Sequence, residues 1–166
     1  MAASISPQSG FSAAILRPGD VLLYRGTGVF SWAIRLKTWS NVSHCEGYVG
    51  EGRSVASRDG VGVGEYPLRL DGLYAVLRPR RRFCVSYAAQ WFATVAGQGY
   101  DWIGLLAFFT ARMQGNSNKK MFCSEFITRW QRAGRIEPFA DSYDADAVSP
   151  GMLLASPAYR IVAKVD

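Results

Sequence analysis

Three cysteines and a single histidine carry most of the covalent chemistry this sequence can offer. Cys123 lies in the run Met121-Phe122-Cys123-Ser124-Glu125-Phe126, directly after the polar stretch 115–120. The spacing of Phe126, Ile127 and Trp130 predicts a helix over Phe122–Ala133, with Gly134 placed to end it. Cys123 then sits in the first helical turn. There, unpaired N–H groups and the positive end of the helix dipole favour thiolate over thiol. A thiolate on a rigid helix end can act as a nucleophile. The competing reading is a small buried hydrophobe, the commonest role of a free cysteine.

His44 is the only imidazole, so a histidine base for that thiol must be this residue. It opens His44-Cys45-Glu46-Gly47-Tyr48, a strand pattern running from Ser43 to Val49. Side chains alternate along a strand, which puts His44, Glu46 and Tyr48 on one face and Cys45 on the other. Glu46 can therefore accept a hydrogen bond from the imidazole, setting its tautomer. The alternative for Glu46 is a solvated carboxylate paired with an arginine, and for His44 a satisfied core histidine. Cys45 is expected to point away from the reacting face and to pack.

Elements that would hold these residues can be read on either side. Pro18-Gly19-Asp20 is a turn leading into the short apolar strand Val21–Tyr24. Phe30 to Trp39 has broken helical spacing. Gly50 and Gly52 mark a hairpin after the His44 strand, Ser54-Val55-Ala56 returns antiparallel, and Asp59-Gly60 turns again. Tyr74–Leu77 is a further strand, Ser86–Ala96 an amphipathic helix, and Asp101 can cap a helix through Phe109. Tyr159–Ala163 closes the chain as a strand. Strands, then helices, then a strand predict an α+β domain spanning 17–166, after a loosely ordered arm at 1–16.

Other classes fit less well. An odd, sparse cysteine count is no disulfide framework and suits a reducing compartment. The N-terminus lacks a basic start and a sustained apolar stretch, and no run is long enough to span a bilayer. A cytoplasmic location is expected, unless another protein exports or releases the chain. The net charge of +6 favours anionic partners without choosing among them. Arg78-Pro79-Arg80-Arg81-Arg82 could touch phosphates as part of a non-catalytic basic binding domain. A single short cluster is more simply a solvated turn, so no specific nucleic-acid binding is expected. Scattered cysteines with one histidine lack the spacing of a zinc site, and no metal or other cofactor is expected. Gly60-Val61-Gly62-Val63-Gly64 lacks the residues of a phosphate loop and reads as a flexible hairpin bordering the cleft.

Six blocks resemble, in order, the circularly permuted NlpC/P60 papain-like hydrolases of the YiiX/YaeF-like group. They are Arg17-Pro18-Gly19-Asp20-Val21-Leu22-Leu23, Ser43-His44-Cys45-Glu46-Gly47-Tyr48-Val49-Gly50, Gly99-Tyr100-Asp101, Phe122-Cys123-Ser124-Glu125-Phe126, Ala133-Gly134 and Ser149-Pro150-Gly151-Met152-Leu153. Histidine precedes cysteine here, the reverse of papain. The resemblance implies a small barrel-like antiparallel sheet packed on helices, with the cysteine at a helix start facing the histidine strand. It assigns Cys123 as nucleophile, His44 as base and Glu46 as the third polar residue. Cys45 departs from the family, where an aliphatic residue is usual.

That assignment implies acyl transfer through a thioacyl-enzyme, with hydrolysis of an amide bond in a peptide or acyl-amide substrate; cell-wall peptides are one class the family suggests. The N–H of Cys123 is a natural oxyanion donor. Asp20 and Tyr24 fall where relatives border the pocket, with Tyr24 a candidate second donor. Trp39 and Tyr100 are candidate cleft residues whose alternative is core packing. An acyltransferase, lipid amidase or thioesterase is the second enzymatic reading.

Overall fold

The computed structural model describes residues 12–25, 41–99, 121–139 and 143–165. Its six strands are β1 (Val21–Tyr24), β2 (His44–Gly50), β3 (Arg53–Arg58), β4 (Gly62–Pro67), β5 (Leu73–Pro79) and β6 (Tyr159–Lys164). Three helices accompany them: α1 (Val85–Val95), α2 (Cys123–Ala133) and α3 (Pro150–Ala155). The expected elements within the described residues are present. The helices expected at Phe30–Trp39 and from Asp101 lie outside the described residues.

All strand pairings are antiparallel, in the order β4-β3-β2-β1-β5-β6. Among the described residues no pairing joins β4 to β6, so the sheet is open, where the sequence had suggested a barrel-like one. β1 is central and buried along its whole length. That accounts for its unbroken apolar run Val21-Leu22-Leu23-Tyr24, since both of its faces are covered.

The two faces pack differently. Val21, Leu23, Cys45 and Val55 face the helices, where they join Ala88, Phe126, Ile127 and Trp130 in the larger core. Leu22, Tyr24, Tyr48, Leu73 and Val76 form a smaller cluster on the opposite face, with Leu16, Leu68 and Leu70 packed against it. α3 begins at Ser149, whose hydroxyl accepts from the Met152 N–H, and Pro150 opens its first turn.

Two readings change. The hairpin is present, but Gly62 and Gly64 belong to its ordered edge strand β4, where they pair with Arg58 and Ala56. Ladder bonds use the backbone alone, and glycines erase the side-chain alternation by which a strand is recognised. α2 does end at Gly134, but Gly134 keeps an ordinary φ of −75°, and Arg135 takes the left-handed turn at φ 66°. Glycine is required at 134 for space, because a Cβ there would overlap the ring of Phe83.

Candidate active site

Cys123 is the first residue of α2, and the N-cap Phe122 makes no side-chain capping bond. The N–H groups of this helix start and the positive end of its dipole favour a negative charge at residue 123. The helix is held on several sides. Ser57 donates its hydroxyl to the Met121 carbonyl, Ser124 to that of Val148 at 2.6 Å, and Gln131 Nε2 to that of Gly19 at 2.9 Å. Trp130 lies on Gly47, where a Cβ would overlap its ring. The sulfur thus has a fixed address beside β2.

His44 begins β2, opposite Tyr24 at the last pair of the β1–β2 ladder. Its Nε2–H donates to Glu46 Oε1 at 3.1 Å. That leaves Nδ1 for the Cys123 thiol, which interacts electrostatically with the imidazole. The ring is 19% exposed, whereas Cys123 is buried. Of the three groups only the imidazole reaches solvent, while the sulfur and the carboxylate are buried.

The electrostatics follow from these contacts. Burial works to lower the His44 pKa, but the hydrogen bonds to Cys123 and Glu46 and their negative charges outweigh it, pushing it up to about 9. The hydrogen bond from Cys45 draws the Cys123 thiol well below its ordinary value; burial opposes, and the bond and charge of His44 add to the fall. Together these favour thiolate beside imidazolium. Burial of Glu46 works to raise its pKa, yet the His44 bond and charge, the Ser54 bond and the Arg58 charge hold it at about 2.

Glu46 is fully buried and has more partners than a solvated carboxylate would. Arg58 reaches Oε1 through Nε at 3.0 Å and Oε2 through Nη2 at 3.2 Å; Arg69 Nη2 reaches Oε1 at 3.1 Å, and Ser54 donates to Oε2 at 2.6 Å. A buried carboxylate survives only when paired in this way. The guanidiniums are themselves shelved on aromatic rings, Arg58 over Tyr66 at 4.0 Å and Arg69 over Tyr24 at 5.2 Å. Ser54 and Arg58 were legible in principle, since the β2–β3 hairpin register puts them on the face of Glu46. Arg69 follows β4 and carries no local signal of its place.

The remaining expected residues separate. Tyr24 stands beside His44, ring centroids 6.0 Å apart, but its hydroxyl donates to the Arg69 carbonyl at 3.0 Å. Its proton is thus directed to that carbonyl and not toward Cys123. Asp20 precedes β1 at the end remote from His44, roughly 13 Å of strand from Tyr24. Arg78 clasps it at 2.8 and 2.7 Å and the Arg17 N–H adds a bond at 2.8 Å, so it locks the fold at that end of β1. Trp39 and Tyr100 lie outside the described residues.

Cys45 needs a further correction. Alternation does place it opposite His44 and Glu46, but α2 packs on that same face, so it is buried in one core cluster with Cys123, and the two thiols influence each other's charge. By contrast, a cavity of about 460 Å³ lined by Val49, Val55, Phe83, Ala88, Phe92 and Trp130 lies toward the Gly50 end of β2. Neither Cys123 nor His44 lines it.

The chain is similar in fold to the metalloprotein YiiX from Escherichia coli O157:H7, whose crystal structure matches it with a TM-score of 0.67. The match covers 90% of this chain and 97% of that one at 19% identity. No protein-family model matches the sequence, and no curated protein does. Among the described residues no group of three or more His, Cys, Asp and Glu could hold a metal ion. Glu46, the nearest hard ligand, already faces two guanidiniums that repel a cation.

Proposed function

We propose that this protein is a thiol-dependent hydrolase of amide bonds, of the permuted NlpC/P60 papain-like kind. The observation that carries the reading is the placement of His44, bonded to the buried Glu46 carboxylate and electrostatically coupled to Cys123 at the helix start. In the reaction, the Cys123 thiolate attacks the carbonyl carbon of the amide. The charge that develops on oxygen is met by N–H groups at the start of α2. The C–N bond then breaks as His44 passes its Nδ1 proton to the leaving nitrogen, giving an amine and a thioester on Cys123. Neutral His44 next takes a proton from water. The hydroxide adds to the thioester, the C–S bond breaks, and the acid departs with thiolate and imidazolium restored. Glu46 keeps the Nε2 proton in place throughout, fixing which nitrogen faces sulfur.

Peptides of the cell wall are the substrate class we favour, on the strength of the family resemblance. The experiment is alkylation of the native protein against pH, with mass spectrometry of the labelled peptides. Rapid labelling of Cys123 near neutral pH, slowed by His44→Ala, is the expected result. Labelling of Cys123 no faster than that of the buried thiol Cys45 would sink the proposal.

A further inference from the structure

We propose that Arg69 is a specificity-determining residue, its half-exposed guanidinium taking a carboxylate of the substrate beside His44. The inference rests on the hydrolase reading and narrows its substrates to amides that carry a negative charge near the scissile bond.

The charges of the site do not cancel. Glu46 carries one negative charge and faces two guanidiniums, both permanently protonated. His44 and Cys123 sum to zero, either as imidazolium with thiolate or as imidazole with thiol. The group therefore keeps one positive charge. Arg58 is committed: it reaches both Glu46 oxygens through Nε and Nη2, lies over the Tyr66 ring and is 21% exposed. Arg69 gives Glu46 only its Nη2 and is 49% exposed. Among the described residues its Nε and Nη1 meet no acceptor. Asp71, two residues on, is exposed and forms no ion pair among the described residues, and Glu65 of β4 is taken by Arg53 at 2.7 Å.

The loop holds that guanidinium in place. Leu68 and Leu70, on either side of Arg69, pack against the smaller core. The Leu68 N–H bonds to the Gly52 carbonyl at 2.8 Å, and the Tyr24 hydroxyl donates to the Arg69 carbonyl at 3.0 Å. The Tyr24 ring then supports the guanidinium, 5.2 Å from its centroid, and stands 6.0 Å from the imidazole. Arg69 Nη2 and His44 Nε2 each lie 3.1 Å from Glu46 Oε1, so guanidinium and imidazole are neighbours across a single oxygen. A long side chain already ordered in this way loses little further freedom when it binds. Its unused N–H groups are charge-assisted donors, the strong kind for a carboxylate. A substrate anchored there has its amide restricted in how it can lie against His44 and Cys123, which is the orientation an attack requires.

The probes for the test are two alkylating peptides of one length, iodoacetyl-Gly-Gly and its C-terminal amide. Their reacting carbon is the same, and their far ends differ by one negative charge. Mass spectrometry of the labelled peptides reads the rate at each cysteine of the full chain. In the parent, the carboxylate probe should label Cys123 about tenfold faster than the amide at low concentration, through tighter saturation. Arg69→Gln should bring that ratio close to one, as should Arg69→Met, which keeps the stem on the Tyr24 ring. Arg69→Lys should keep part of the preference. The ratio at the partly exposed Cys84 should be the same in all of these proteins. A variant that only loosens Glu46 and His44 slows both probes alike and leaves the ratio where it was. A parent ratio near one, or a ratio that survives loss of the guanidinium, overturns the role of Arg69 while leaving the hydrolase reading intact. Labelling of Cys123 by both probes no faster than that of Cys45 overturns both.

Discussion

Trp130 occupies the space that a side chain at residue 47 would need, and so sets the distance between α2 and the strand carrying His44. The contact lies two helical turns from Cys123, and it makes Gly47 part of the alignment of sulfur and imidazole. Gly47→Ala should cost about 1–3 kcal/mol by overpacking. It should also slow Cys123 alkylation by shifting the helix start. Denaturant unfolding beside labelling rates checks this; unchanged labelling in a destabilised protein would separate the contact from the site.

Glu46 neutralises two arginines as well as bonding His44, so its removal should be felt twice. Glu46→Gln leaves Arg58 and Arg69 without their carboxylate. Removing one partner of a buried pair costs about 3–5 kcal/mol, and the half exposure of Arg69 argues for the lower end. The imidazole pKa should fall below its parent value. Since His44 is the only histidine, its ring protons can be followed by NMR titration without ambiguity.

That titration gives a prediction for the parent protein. The His44 midpoint should lie near 9 and should drop when Cys123→Ser removes the thiolate. A raised folded pKa contributes stability that is complete below the unfolded value of about 6.5 and is lost as pH rises through 9. Thermal stability of the parent should therefore decline between those limits more than that of His44→Gln. Hydrolysis should fall over the alkaline part of the range, as the proton for the leaving group is lost.

Asp20 offers a contrast. Its partner Arg78 is more buried than either arginine of Glu46, so Asp20→Asn should destabilise by about 3 kcal/mol. Because the pair sits at the other end of β1, Cys123 labelling and the His44 titration should not move while the protein stays folded. A shift in either would return Asp20 to the site.

Cys84 will complicate any reactivity screen. The Ser86 hydroxyl and the Tyr87 N–H draw its thiol down, and it is partly exposed at the N-cap of α1. Two cysteines should therefore label near neutral pH, and Cys45 should not. His44→Ala should slow Cys123 alone, and equal slowing of Cys84 would mean that the mutation had loosened the whole fold.

Much of the pairing of His44 with Glu46 was legible in the sequence, because strand alternation is a property of the backbone and places i and i+2 on one side. The helix start at Cys123 was legible for the same kind of reason, from apolar spacing over a few turns. Alternation also placed Cys45 opposite His44. What it could not say was which side of the sheet α2 would cover, since that choice is made by contacts such as Trp130 on Gly47 between residues far apart in the chain. The same limit explains Arg69, brought to Glu46 by a loop with no periodic signal, and Asp20, whose partner Arg78 lies across the sheet on β5. Local geometry, repeating every two or 3.6 residues, was written in the sequence. The meeting of sulfur, imidazole and carboxylate, and the second thiol beside them, was decided by the packing of helix on sheet.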